Sequence, residues 1–343
     1  MLNTLVGNNQ IKEILRRMLK NGRVPHSLIF AGEEGVGKKH FALELAKSFV
    51  CLNPTDFEAC GKCLDCSRAD KFTFPKPDDK REEFERVFFS QHSDIGTVIP
   101  CRNNVLVGSI RDLEKEANYR PYESKARFFI IDDADKMNDH ASNALLKTLE
   151  EPPATTYIFL ITSRPDALLT TILSRCQTLR FAPISANEIK THLLETKQFA
   201  PDDAEILARI SNGSIGRALE TDLTKLRNLR ESVLRVLESL LIKNDRALLL
   251  KTSEELNDAK NKENYEQFLD ILQIAIHDLW TLRLGTNEIS NADIRNQLQN
   301  LAKNADAKRL ASWLKEIETL RELFIVNLNK KIATDALFMQ MAN

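Results

Sequence analysis

The residues most suited to chemistry lie in Gly32-Glu33-Glu34-Gly35-Val36-Gly37-Lys38, a G-x-x-x-x-G-K spacing. Glycines at Gly32, Gly35 and Gly37 let successive backbone N–H groups turn into one concavity, and Lys38 adds a point charge beside it. Together they suit phosphate oxygens. The next position normally offers a hydroxyl to magnesium, but here it is Lys39. An ammonium cannot ligate a cation and repels one. The loop is therefore read as a site for ATP at which Mg²⁺-dependent hydrolysis is doubtful. A plain glycine-rich turn between a strand and a helix is the competing reading.

A second cluster follows at Cys51, Cys60, Cys63 and Cys66, spaced C-x8-C-x2-C-x2-C. Four thiolates this close suit a tetrahedral Zn²⁺, and Gly61 supplies the tight turn between two of them. Four sulfurs leave no open position for water or substrate, so the zinc is expected to be structural. Free thiols or a redox pair are the alternatives. Cys101 and Cys176 read as ordinary thiols.

The third group is Phe128-Phe129-Ile130-Ile131-Asp132-Asp133-Ala134-Asp135. Four apolar residues make a buried parallel strand, and its carboxylates fall at the C-terminal end, where α/β sheets place ligands. Asp132 is the candidate to hold Mg²⁺ through water. Asp133 stands where phosphate-loop ATPases usually keep a glutamate that polarises the attacking water. It is one methylene short, which predicts weak catalysis. Tyr157 to Thr162 is another apolar strand, and the Thr162 hydroxyl is read either as a γ-phosphate sensor or as a turn cap. Arg175, in Leu173-Ser174-Arg175-Cys176, is either a finger toward a neighbour's nucleotide or one side of a surface salt bridge.

These groups need a parallel sheet with helices around it, and the sequence supplies one. Leu28 to Ala31 reads as a buried strand and Phe41 to Val50 as the helix after the loop. Ile11, Ile14, Leu15 and Met18 form the stripe of an N-terminal amphipathic helix. Val24-Pro25-His26 breaks that helix, with His26 a packed residue. Lys71 to Gln91, charged and carrying Pro75 and Pro77, reads as an exposed, partly helical insertion. Ser109 to Asn118 reads as a helix capped by Ser109. Asn138 caps Asp139 to Glu151, which Pro152-Pro153 ends. Strands vanish from Ser185 onward. Asn187 to Leu194, Pro201 to Ser211 and Thr224 to Met341 are helical in pattern, with His277 and Trp280 read as core.

At 343 residues the chain has room for two or three domains. Its 48 basic and 49 acidic residues nearly cancel, so no global field advertises nucleic acid. No apolar run reaches membrane-spanning length, and Met1 to Lys20 lacks the apolar core of a signal peptide. The expectation is a cytoplasmic protein without a membrane segment.

Several stretches taken in order resemble the bacterial clamp-loader AAA+ family, and its delta-prime branch in particular. They are Val24-Pro25-His26-Ser27-Leu28-Ile29-Phe30-Ala31-Gly32, the four-cysteine module after the phosphate-loop helix, and Ile130-Ile131-Asp132-Asp133-Ala134-Asp135. Asn143-Ala144-Leu145-Leu146-Lys147-Thr148-Leu149-Glu150-Glu151-Pro152-Pro153 and Leu173-Ser174-Arg175-Cys176-Gln177 complete the set. They span roughly residues 1 to 220; Asn327-Leu328-Asn329 to Leu337 resembles the end of the family's last domain. The resemblance implies an α/β plus all-α chain. Its parts would be a RecA-like AAA+ domain over 1–180 with the zinc module at 51–66, a small helical lid over 181–223, and a helical collar over 224–343 for oligomerisation.

It also implies a hetero-pentameric loader that uses ATP to open a ring-shaped sliding clamp and place it on primed DNA. Contacts to that DNA would be to the backbone and blind to sequence. In that family Arg175 would act in trans on the adjacent subunit's ATP. Arg217, in Gly213-Ser214-Ile215-Gly216-Arg217, approximates the lid arginine, shifted from the usual spacing. Lys39 and Asp133 fit a subunit with weak or absent ATPase. The competing reading is an active motor subunit of the gamma/tau kind, against which Lys39 argues. A stand-alone zinc-stabilised nucleic-acid binder would need a concentrated basic patch or an exposed aromatic stripe, and neither is evident.

Overall fold

The computed structural model describes residues 2–196, 198–258, 264–286, 289–323 and 329–342. The chain divides into two units, one of Met1–His192 with Gly213–Arg217, the other of Leu193–Asn212 with Ala218–Asn343.

The first unit is built on a sheet of β1 (Ser27–Ala31), β2 (Phe88–Phe89), β3 (Ile95–Val98), β4 (Arg127–Ile131), β5 (Thr156–Thr162) and β6 (Gln177–Arg180). Their order is β2-β3-β4-β5-β1-β6, all parallel except the edge strand β2. The helices of this part are α1 (Asn9–Lys20), α2 (Lys38–Val50), α3 (Leu64–Ala69), α4 (Val107–Ala117), α5 (Asp139–Glu150) and α6 (Thr170–Leu173).

Side chains of β1, β4 and β5 alternate between two cores, which is why these strands read as nearly unbroken apolar runs. Leu28, Phe30, Phe128, Ile130, Phe159 and Ile161 pack with Ile11 and Leu15 of α1 and with Phe41, Ala42 and Leu45 of α2. Ile29, Phe129, Ile131, Ile158 and Leu160 pack on the other face with Ile110 and Leu113 of α4 and with Leu145 and Leu149 of α5. Each buried side chain of this size contributes roughly 1.5–3 kcal/mol. β1 lies between β5 and β6, so loops leaving β1, β4 and β5 converge at their C-terminal ends. That is where a doubly wound sheet opens a crevice.

The chain continues through α7 (Ala186–Glu195), α8 (Pro201–Ile210), α9 (Ile215–Glu220), α10 (Leu223–Glu238), α11 (Arg246–Asn257), α12 (Tyr265–Arg283), α13 (Arg295–Ala302), α14 (Ala307–Leu323) and α15 (Lys330–Met341). The second unit packs its core around Val233, Phe268, Leu272, Ile276, Leu310, Trp313 and Phe338. An α/β sheet followed by an all-helical part is the class expected from the sequence. The Asn327-Leu328 pair lies outside the described residues.

Three local expectations are corrected. Lys71 to Gln91 is not merely an exposed insertion: Phe84, Val87 and Phe88 are buried, Phe88–Phe89 is β2, and only Arg81–Phe84 turns as a 3-10 helix. A two-residue edge strand among charged residues is too short to show a period. Ser109 lies inside α4 and donates to Leu106 O at 2.7 Å; Leu106 holds the cap position, and Asp112 accepts from Val87 N–H at 2.9 Å. His277 is exposed, and the buried polar residue beside it is Asp278. One turn of α12 places these neighbours on different faces. His26 is packed as expected, stacked on Tyr157 at 4.9 Å, and Asn138 caps α5 through Ala141 N–H at 2.9 Å.

Candidate functional site

The phosphate loop leaves the C-terminal end of β1 and enters α2, whose first two residues are Lys38 and Lys39. The helix thus begins three residues earlier than its apolar pattern, and both ammonium groups sit in the first turn. Gly32, Gly35 and Gly37 have φ of 155°, 75° and 94°. At Gly35 an added Cβ would stand 2.2 Å from Ser214 Oγ, in a region L side chains rarely adopt. The Ser214–Arg217 turn is seated on the loop itself: Gly216 N–H donates to Gly35 O at 2.9 Å, and Arg217 N–H to Ser214 Oγ at 3.2 Å. Arg217 is therefore brought to the loop from 180 residues further along the chain.

Lys38 is buried, and its Nζ donates to Gly32 O and Glu33 O, both at 2.6 Å. Burial pulls its pKa below the usual lysine value, opposed by the carboxylates of Asp133, Glu34, Asp132 and Glu33. Lys39 reaches across to β4, where its Nζ lies 2.7 Å from Asp132 Oδ2. It also stands 5.4 Å from the ring centroid of Phe74, which stacks on Phe72 at 5.5 Å. Asp133, at φ 47°, pairs with Lys136 at 2.7 Å. Both carboxylates ending β4 thus carry an ammonium of the chain.

Thr162 is fully buried at the end of β5. Its carbonyl accepts from Gly32 N–H at 3.2 Å, and its hydroxyl donates to Asp135 Oδ1 at 2.7 Å while accepting from Arg164 N–H at 3.0 Å. Arg164 closes the group onto Asp135 Oδ2. Burial raises the pKa of Asp135, but the bonds from Thr162 and Arg164 outweigh it and hold the carboxyl below its usual range.

The structure brings together Gly32, Gly35, Gly37, Lys38, Lys39, Asp132, Asp133, Thr162 and Arg217. Arg175 is not among them. It precedes the N-terminal end of β6, whereas the loop leaves the C-terminal end of β1, the parallel neighbour. There Arg175 Nη2 pairs with Glu150 at 2.6 Å and Nη1 donates to Thr171 O at 2.8 Å. The adjoining Cys176 is buried, which pushes its thiol up to about 12. Phe74, Lys136 and Arg164 escaped the sequence reading, because only folding brings them beside Lys39, Asp133 and Asp135.

The four cysteine sulfurs lie within 4.8 Å of one another, with Cys51 Sγ and Cys63 Sγ 3.9 Å apart. Zn–S bonds of about 2.3 Å set tetrahedral S···S edges of roughly 3.8 Å, so this donor set fits zinc. Backbone N–H groups point at the sulfurs: Cys60 N at Cys51 (3.2 Å), Cys63 N at Cys60 (3.3 Å) and Cys66 N at Cys63 (3.5 Å). Such donors favour thiolate. The Lys62 and Cys63 amides bring the Cys60 thiol down to about 6, while burial pushes Cys66 up. A bound Zn²⁺ would staple the end of α2 to α3.

Two further contacts fasten the module. Arg68 of α3 forms a two-pronged pair with Glu123, both bonds 2.7 Å, and also donates to Gln91 O. The buried Glu58 accepts from Leu2 N at 3.0 Å and from Arg16 Nε at 2.7 Å.

Among the described residues no helix is long and apolar enough to cross a membrane. Comparison with known proteins agrees with the ordered motifs. A DNA polymerase III subunit delta' of Bacillus subtilis is 30% identical over 280 residues, 81% of this chain and 79% of that protein. A DNA polymerase III subunit delta' of Escherichia coli is 26% identical over 93% of this chain and 90% of its own. A DNA polymerase III subunit tau of Escherichia coli is 31% identical, but over 63% of this chain and 31% of its own. The family models "DNA polymerase III, delta subunit" and "DNA polymerase III, delta subunit, C terminal" match residues 7–185 and 222–341. With relatives aligned over most of their length and both models matched in order, the chain belongs to the DNA polymerase III delta/delta-prime subunit family.

Proposed function

We propose that this chain is a clamp-loader subunit of the delta-prime kind, a scaffold with weak or absent ATPase of its own. It joins other loader subunits in a hetero-pentamer that places a sliding clamp on primed DNA at the expense of ATP. Its contacts to that DNA run through the backbone. The observation that carries the reading is the Lys39–Asp132 pair at 2.7 Å. The residue that would replace the metal's hydroxyl ligand neutralises the carboxylate that would complete its shell. A phosphoryl transfer that depends on a metal to gather charge loses that support.

Arg175 is proposed to act in trans. Its position before the N-terminal end of β6 separates it from its own chain's loop, and its partner there is Glu150, a partly exposed carboxylate. A guanidinium supplied to a neighbour's γ-phosphate is worth orders of magnitude in rate. A helical lid over 181–223 and a collar over 224–343 that assembles the complex belong to the same reading, as does one structural Zn²⁺ in the cysteine module.

The test is the clamp- and primer-stimulated ATPase rate of the reconstituted loader. Arg175→Ala in this chain should lower it by at least about tenfold, and Lys38→Ala should leave it within about twofold. The reverse pattern would make the chain a motor subunit.

A further inference from the structure

The end of β4 is closed to divalent cations by the chain's own ammonium groups. Asp132 is paired with Lys39 and Asp133 with Lys136, each at 2.7 Å. Lys39 is further seated against Phe74, so it is held from two sides. A metal ion here would have to break the Lys39–Asp132 pair and then sit beside the displaced ammonium. Coulomb repulsion between the two opposes that outcome.

The anion-binding half of the site is intact by contrast. Among the described residues, no backbone hydrogen bond engages the N–H groups of Gly35, Gly37 or Lys38, and α2 presents its positive end there. Lys38 Nζ spends two donors on Gly32 O and Glu33 O, and an ammonium has a third.

We propose that Lys39 is a built-in replacement for the divalent cation, and that the loop binds a nucleoside diphosphate free of metal. This rests on reading the loop as a nucleotide site. Two lysine charges, one shared with Asp132, amount to less positive charge than a lysine with magnesium. Glu33 and Glu34 on the loop reduce it again. A diphosphate matches that field better than a metal-free triphosphate does.

Calorimetric titration of the full chain with ADP and with ATP, in EDTA and in excess magnesium, tests this. ADP should bind in EDTA, more tightly than ATP, and magnesium should change its Kd by less than about twofold. Lys39→Met should weaken ADP in EDTA by about tenfold or more, the loss of one charge-assisted contact, while Lys39→Arg should retain it. Lys39→Thr should make binding metal-dependent. With ADP present it should take up Mn²⁺, read by loss of the free-ion resonance, and the wild-type chain should not.

Absence of ADP binding in EDTA at millimolar nucleotide would overturn the proposal, as would a strengthening by magnesium of about tenfold or more in the wild-type chain. Either result leaves the trans role of Arg175 to the reconstituted-loader assay. A failure there would in turn leave this titration standing.

Discussion

Lys39 and Asp132, 93 residues apart in sequence, form an ion pair of 2.7 Å between the first turn of α2 and the end of β4. Their side chains are 39% and 24% exposed, so solvent screens the pair and its worth to folding is small. Lys39→Met should therefore change the unfolding free energy by less than about 1 kcal/mol in a urea titration. A larger loss would mean that the pair holds the loop together rather than only occupying a place in it.

The glycine at position 35 is more demanding. Its φ of 75° and the seat of Ser214 against it predict a cost of about 1–3 kcal/mol for Gly35→Ala, read as a lowered urea midpoint. Adding Ser214→Ala should recover the steric part and leave the cost of the left-handed backbone. Equal stability of Gly35→Ala and wild type would show that the turn can leave the loop freely.

Metal content is a direct check on the cysteine module. Freshly purified, reduced protein should contain one zinc per chain by atomic absorption, and Cys66→Ser should contain less than about half as much. Removing the metal should lower the melting temperature, because binding free energy is then lost from the folded state alone. Full retention of stability after chelation would reduce the module to a set of packed thiols.

The Arg68–Glu123 pair predicts a pH dependence. Hydrogen bonds from Arg68 hold the Glu123 carboxyl down at about 2, below its ordinary 4.5. A depressed folded-state value stabilises above the unfolded value and is lost as pH falls between them. Arg68→Gln should thus be less stable than wild type at neutral pH, and the gap should narrow as pH falls from 4.5 toward 2. Glu123 is a third exposed, so screening limits the size of the gap. A gap independent of pH would assign the contribution of Arg68 to Gln91 O instead.

The chemistry-bearing residues were legible as types and spacings. Glycines before Lys38, a cysteine quartet and carboxylates after an apolar strand are local patterns, and local patterns survive in a one-dimensional string. Of the four central strands, β1, β4 and β5 and the helices against them were legible for the same reason, since burial on both faces writes an unbroken apolar run; Gly96 and Thr97 interrupt that run in β3. β2 and β6 were not: at two and four residues, with Gln177, Thr178 and Arg180 half or fully exposed, they carry no period.

Pairing was decided only by the tertiary structure. The sequence alone determined that Lys39 could not ligate a metal; folding decided that it would take Asp132 as its partner and Phe74 as its seat. It likewise assigned the Thr162 hydroxyl to Asp135, set Arg217 beside Gly35, and left Arg175 at the other end of the neighbouring strand. In the helical unit it sent Asp278 inward to accept from Ser290 and Asn291, while the adjacent His277 stayed in solvent. The reason is common to all of these. Partner choice depends on which loops a parallel sheet gathers at one edge and on which face a helix turns inward, and neither is a property of neighbouring residues in the chain.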